Sequence, residues 1–380
     1  MKEIDTLRAA LLAWFRAEAR DLPWRRTRDP YRVWLSEIML QQTRVDQGMP
    51  YYERFLSAFP TLEDLAGATE EAVLKQWEGL GYYTRARNLH QTARILRDQH
   101  GGRFPEEAAT LQLLPGVGRY TAAAVASIAF GERVAVLDGN VKRVLSRLFH
   151  IADCIDEPAV ERDLWRIAGQ LVPGRDPGDF NQAMMELGAR ICVPRRPLCD
   201  GCPVADLCRA REAGIEAGLP VRKPKKAVPV QEIVAAAILR DGRYLVGRRP
   251  PEGLLGGLWE FPGGKVCPGE SHRQALAREC REELGVGVEI GGLVASVRHA
   301  YTHFKIVLSV YRCTLVEGEP RPHAHTELRW VAPEEFHTLA FPKANHKFLP
   351  LLANLGGEDG VDEVDEVDGV DGVDEVDGID

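Results

Sequence analysis

Apolar residues recur at helical spacing through the first half of the chain and at strand spacing through much of the second. Leu7–Ala19, Val33–Gln47, Glu70–Leu80 and Ala122–Phe130 each carry an apolar stripe and are separated by Pro or Gly. This predicts an almost entirely helical unit up to about residue 215. From Ile233 the period shortens. Ile233–Leu239, Tyr244–Arg248, Leu293–Arg298 and Ile306–Leu315 read as strands, interrupted by one helix over Ser271–Leu284. The second unit is therefore α+β and closes near Leu355. Residues 219–230 read as a linker, stiffened by three Pro and carrying four basic residues suited to a phosphate backbone.

Composition changes this picture in one respect. The 380-residue chain is long enough for two cores, holds no apolar run of membrane-spanning length and lacks a signal-peptide layout, so the expectation is a soluble cytoplasmic monomer. The net charge of −8 argues against a polyanionic partner only until it is located. Residues 356–380 hold eight Asp and four Glu without Lys or Arg, and removing them leaves 48 − 44 = +4. Asp recurs at every third position from Asp359 to Asp380, a period no packed element needs, so this tail reads as disordered and low-complexity.

The most informative motif is Leu114-Pro115-Gly116-Val117-Gly118-Arg119-Tyr120-Thr121-Ala122, with Asp138 twenty residues beyond Gly118. Pro and Gly make a tight hairpin between helical stretches, where amide N–H groups can approach a phosphate. The hairpin can equally be a plain helix–helix turn, and Asp138 a cap on a helix Asn140–Phe149. Four of eight cysteines fall at Cys192-x6-Cys199-x2-Cys202-x5-Cys208, a metal-site spacing rather than a disulfide framework; the chemistry admits zinc or an iron–sulfur cluster. Arg195 and Arg196 between the first two ligands can grip phosphate. Cys154, Cys267, Cys280 and Cys313 read as ordinary buried thiols.

The hairpin with its downstream Asp resembles the helix-hairpin-helix of base-excision DNA glycosylases, and the cysteine spacing resembles their [4Fe-4S] loop, which decides for the cluster. Endonuclease III-like relatives carry a Lys at position 120 that attacks the sugar; Tyr120 cannot form a Schiff base, which implies base removal without strand cutting. Leu22-Pro23-Trp24-Arg25, the run Pro30–Thr43, Gly79-Leu80-Gly81-Tyr82-Tyr83, Leu137–Arg143 and Phe180-Asn181-Gln182-Ala183 are together very similar to the MutY family of adenine DNA glycosylases. The resemblance covers residues 5 to about 215. It implies an all-α glycosylase domain over 1–218 with the cluster loop at 192–208, acting on duplex DNA that contains adenine opposite 8-oxoguanine or guanine.

Adenine is a poor leaving group and must be protonated as its glycosidic bond breaks. Glu37 would do this from an apolar setting that raises its pKa, while Asp138 stays ionised against the positive sugar. The competing reading makes Glu37 a first-turn residue after a Ser36 cap. The resemblance further implies that Tyr120 and Asn140 orient these groups, and that Trp24, Arg25, Leu40, Gln42 and Gln182 line an adenine pocket. Gln42 and Tyr82 would fill the gap left by the extruded base, with Gly116, Val117 and Gly118 on the backbone. Tyr82 as a plain core aromatic is the alternative.

In the second unit, residues 231–355, the run Gly264 to Val286 fits a complete Nudix box. Glu279, Glu282 and Glu283 share one helix face and can hold Mg²⁺ against a diphosphate, with Glu327 a further candidate. A solvated helix of Glu/Arg pairs explains the charges but not the flanking spacing. MutY-type chains carry a Nudix-like domain that reads 8-oxoguanine and usually lacks the box. Tyr301, Thr302 and His303 resemble that family's Phe-Ser-His recognition segment in altered form. The favoured expectation is lesion reading without hydrolysis. Hydrolysis of a nucleoside diphosphate derivative such as 8-oxo-dGTP is the alternative.

Overall fold

The computed structural model describes residues 2–224, 228–301 and 304–355. The chain forms two compact units: the segment up to Gly67 with Asn88 onward to the linker, and Ala68–Arg87 with the chain beyond it.

The helices are α1 (Lys2–Glu18), α2 (Pro30–Met39), α3 (Val45–Ala58), α4 (Leu62–Gly67), α5 (Glu70–Trp77), α6 (Tyr83–Gln99), α7 (Ala108–Leu111), α8 (Arg119–Ala129), α9 (Gly139–Leu148), α10 (Pro158–Leu171), α11 (Pro177–Arg190) and α12 (Arg209–Ala213). In α1, Leu7, Leu11 and Phe15 recur every fourth residue and are buried. α8 is alanine-rich, and its small side chains let it pack between α2 and α11.

The expected helix Val33–Gln47 is two helices. α2 ends at Met39, Gln42 takes a left-handed conformation with φ 57°, and α3 begins at Val45. No Gly or Pro marks this break in the sequence. The expected helix Glu70–Leu80 stops at Trp77, before a turn that sets Tyr82 at φ 49°. The start of the linker is docked rather than free: Val221 O accepts from the Ile155 amide at 3.0 Å and Asp156 from the Lys223 amide at 2.9 Å.

The second unit is built on a mixed sheet of β1 (Val230–Arg240), β2 (Arg243–Arg248), β3 (Trp259–Glu260), β4 (Gly263–Lys265), β5 (Gly287–Ala300), β6 (Lys305–Glu317) and β7 (Glu327–Val331), in the order β3-β2-β1-β6-β5. β1 runs parallel to β6 and antiparallel to β2 and β4. Alternate β1 residues feed opposite cores, as strand geometry requires. Val234, Ala236 and Ile238 face α13 (His272–Leu284) through Leu276 and Cys280; Ala235 and Ala237 face an aromatic core that includes Phe336, Phe341 and Phe348 beside α14 (Leu349–Leu355). Of the cysteines outside the four-residue loop motif, Cys280 and Cys313 are buried, but Cys154 is only partly so and Cys267 is exposed. Among the described residues no helix is long and apolar enough to cross a membrane.

Candidate active site

Asp29 caps α2 by accepting the Tyr31 amide N–H at 3.0 Å, so Ser36 and Glu37 lie inside the helix rather than at its start. The Ser36 hydroxyl bonds Val33 O at 2.7 Å and caps nothing. Glu37 is 8% exposed. Burial pushes its carboxyl up to about 7; the Asp138 charge adds to this, while a hydrogen bond from Tyr120 and the Arg25 charge oppose it. Tyr120 Oη lies 2.7 Å from Glu37 Oε2 and 3.0 Å from Met185 Sδ.

Asp138 is the N-cap of α9, accepting the Val141 amide at 2.7 Å and Asn140 Nδ2 at 2.9 Å. The expected cap is present, and the capping carboxylate also lines a cavity. Burial raises its pKa above the usual carboxylate range, and the Val141 amide, Asn140, the Arg143 charge and the N-terminus of α9 only partly offset this. Asn140 Oδ1 accepts from Arg143 at 2.8 Å, and Arg143 Nε donates to Cys192 O at 2.7 Å. A continuous set of hydrogen bonds thus joins Asp138 to the cysteine loop.

Both carboxylates line a cavity of about 1120 Å³ that also takes in Trp24, Arg25, Leu40, Gln42 and Gln182. Trp24 is buried edge-on against Tyr52 at 5.0 Å. Arg25 donates to Glu186 at 2.8 Å, and Arg20 grips the same carboxylate at 2.7 Å. Glu186 is fully buried; burial alone would raise its pKa, but the two arginines outweigh this and hold it at about 2. Sequence reasoning missed Glu186, Met185 and Arg143. The available signal was polar residues at i, i+4 on the buried face of α11, Gln182 with Glu186.

Between α7 and α8 the chain turns at Pro115–Gly118. Gly116 has φ 71°, and a Cβ there would lie 2.7 Å from Asn88, so only glycine fits. Val117 is buried, whereas Gly116 and Gly118 expose backbone at the start of α8.

The HhH-GPD superfamily of base excision DNA repair proteins matches residues 35–170, the iron–sulfur binding domain of endonuclease III residues 192–208, and a NUDIX domain residues 234–351. The adenine DNA glycosylase of Homo sapiens is 40% identical over 91% of this chain and 73% of its own length; that of Mus musculus is 39% identical over 91% and 77%. The chain belongs to the adenine DNA glycosylase family. A thermostable thymine-DNA glycosylase structure, 34% identical, covers 56% of this chain and 98% of its own with a TM-score of 0.50. The helical unit has this base-excision fold, and the second unit is Nudix-like.

As in the matched iron–sulfur domain, the family member's four cysteines fit a [4Fe-4S] cluster in donor chemistry. Cys192, Cys199 and Cys208 are close enough to raise the Cys202 thiol, which burial first pushes up to about 11. Among the described residues no three ligand-type side chains are already drawn into metal-holding geometry, so the fit rests on the donor set and its neighbourhood. Arg147, itself buried, organises the loop by donating to Val193 O at 2.7 Å, Pro194 O at 2.9 Å and Cys192 Sγ at 3.3 Å. Arg195 and Arg196 are exposed.

The NUDIX-matched unit of this glycosylase-family chain presents its box glutamates already engaged. Arg278 pairs with Glu270 at 3.0 Å, Glu279 at 2.8 Å and Glu282 at 3.0 Å. Glu283 accepts the Gly263 amide at 2.9 Å, and burial pushes it up to about 7. Gly264 lies directly over Glu279, whose carboxylate a Cβ there would strike. Glu327 pairs with Arg329 at 2.9 Å. Tyr301 is half-buried, stacked on Phe304 at 4.8 Å; Thr302 and His303 lie outside the described residues, as does the acidic tail. Tyr82 in the same unit is 38% exposed rather than a core aromatic.

Proposed function

We propose that this chain hydrolyses the N-glycosidic bond of adenine in duplex DNA, opposite 8-oxoguanine or guanine, and does not cut the strand. The observation that carries the reading is one cavity holding two carboxylates in different settings, Glu37 bonded to a phenol and Asp138 capping a helix. Burial raises both, carrying Glu37 up to about 7, while the Val141 amide, Asn140 and the Arg143 charge oppose the rise of Asp138 at the N-terminus of α9.

The extruded adenine would enter between Trp24, Leu40 and Gln182, with Arg25 held by Glu186. Glu37 donates its proton to N7 as the C1′–N9 bond breaks and the bond pair leaves with the base. The sugar becomes oxocarbenium-like, and Asp138 stabilises that charge directly or as a transient adduct. Water adds to C1′ and its proton returns to Glu37, which closes the cycle. Asn140 fixes Asp138, and Tyr120 fixes Glu37. Position 120 supplies no amine, which supports base removal without lyase chemistry.

The cluster would be held by Cys192, Cys199, Cys202 and Cys208, where it would supply a rigid cross-link for the loop carrying Arg195 and Arg196. Gln42, Tyr82 and the Gly116–Gly118 hairpin are assigned to DNA contact. In this reading residues 1–218 are catalytic, 219–230 link, and 231–355 recognise 8-oxoguanine through Tyr301, Thr302 and His303. The enzyme works as an intracellular monomer. In this reading the Arg278 pairs and the Glu283–Gly263 bond give the Nudix box a structural use, and Mg²⁺-dependent hydrolysis is the alternative.

Single-turnover adenine release from duplexes with A opposite 8-oxoguanine, G or T tests this. Strand breaks appearing only after alkali, and only with the first two, support the reading. No release from cluster-loaded protein overturns it. Mg²⁺-dependent phosphate or pyrophosphate release from 8-oxo-dGTP, lost in Glu282→Gln, would instead establish hydrolysis.

A further inference from the structure

Ala68–Arg87 interrupts the helical half of the sequence, yet it packs as part of the mixed-sheet unit. Its attachments are polar and specific. At the start of α5, Arg248 pairs with Glu70 at 3.6 Å and the Trp259 indole N–H donates to Glu71 at 3.3 Å. Near its end, the Lys75 ammonium donates to Leu339 O at 2.8 Å. Glu78 carries the densest set: Lys75 at 2.6 Å, the Phe341 amide N–H at 2.8 Å and His346 Nε2 at 3.0 Å. Its side chain is only 13% exposed; burial would raise the carboxyl, and these donors hold it below the usual range.

Four residues further stands Tyr82, exposed and in a left-handed conformation that an aromatic residue adopts only when its surroundings impose it. The turn between is braced from within. The Trp77 indole N–H donates to Gly81 O at 3.1 Å, and the Arg85 guanidinium donates to the same oxygen at 3.3 Å while lying 5.4 Å over both the Trp77 and Tyr82 rings. A braced turn transmits position. Where α5 is fastened, Tyr82 is placed.

We propose that Glu78 is a positioning residue that latches Tyr82 to the mixed-sheet domain, so that the ring entering the duplex and the domain meeting the base opposite adenine move as one body. The inference rests on the reading above, in which both contact the mispair. A latched ring avoids the entropy of ordering a free loop at each insertion, and the latch ties that insertion to lesion contact.

The test is a double-mutant cycle on the full-length, cluster-loaded protein. Single-turnover rates are measured on A:8-oxoguanine and A:G duplexes for Glu78→Gln, His346→Ala, Tyr82→Ala and each combination with Tyr82→Ala. Glu78→Gln is expected to slow the 8-oxoguanine duplex roughly tenfold and narrow the preference, His346→Ala to do the same more weakly, and neither to add to Tyr82→Ala. Losses that multiply in the Tyr82→Ala background, or an unchanged preference in both single variants, overturn the latch. Unfolding midpoints identify any variant that fails to fold, and His346→Ala, at a side chain 41% exposed, then carries the cycle. Tyr301→Ala separates the two assignments: an unchanged 8-oxoguanine preference there removes lesion reading by this domain, while the cycle still decides whether Glu78 acts through Tyr82.

Discussion

Tyr120 Oη stands 2.7 Å from Glu37 Oε2, on a cavity carboxyl that burial lifts to about 7. The acid is therefore loaded below that pH and empty above it. Excision should follow a bell, falling about tenfold per pH unit above neutrality as Glu37 loses its proton, and falling in acid as Asp138 gains one. A single-turnover rate that keeps rising above neutrality would remove Glu37 from the role of acid.

Glu37→Gln should abolish excision while duplex binding persists. The unfolded chain ionises this residue near its ordinary range, whereas the folded chain keeps the proton until about 7. Wild-type stability therefore falls as pH rises between those points and levels off above. The variant escapes this and should be more stable at mildly alkaline pH by up to about 3 kcal/mol, read by urea unfolding.

Tyr120→Phe removes a hydrogen bond that favours the ionised carboxylate. The alkaline limb of the rate profile should move to higher pH, and the maximum rate should drop on the order of tenfold. A limb that moves downward would mean the phenol works against ionisation rather than for it. Met185, the second neighbour of the hydroxyl, gives a control: Met185→Leu should shift the limb less than Tyr120→Phe.

Glu186→Gln leaves Arg20 and Arg25 without their shared anion in a buried place. Because Glu186 is held at about 2, its stabilising contribution is complete at neutral pH and disappears only as pH falls toward that value. The variant should lose about 3 kcal/mol at neutral pH, with the gap to wild type narrowing in strong acid.

Arg147→Leu deletes donors to three consecutive carbonyl-bearing residues of the cysteine loop, Cys192, Val193 and Pro194. Iron and sulfide should be lost to a chelator about tenfold more readily than from wild type. Unchanged retention would show that the loop holds its ligands without this guanidinium.

The helical and strand-rich halves were legible because burial follows period: Leu7, Leu11 and Phe15 in α1, and alternate residues of β1. Glu37, Asp138 and Tyr120 could be picked out by motif, and the fold brings them together. Two things were hidden. Gln42 breaks a helix without any breaker residue, so tertiary packing overrides local propensity there. The allegiance of Ala68–Arg87 depends on partners such as Phe341, 263 residues from Glu78, and no local window contains both. Glu186 and Arg147 belong to the same class: buried charges whose partners are remote in sequence are invisible until the chain is folded.

The capping bond from the Val141 amide to Asp138 has a consequence for heredity. In Asp138→Asn the cap should survive, because an amide oxygen accepts as a carboxylate does, while the charge proposed to stabilise the sugar is gone. On the proposed function, such an allele should yield normal amounts of a folded protein that still binds its DNA without excising the base. It would not behave as a simple loss. Expressed beside the wild-type chain, it should raise the mutation rate by shielding lesions from the working copy, whereas a variant that cannot fold would leave that rate unchanged.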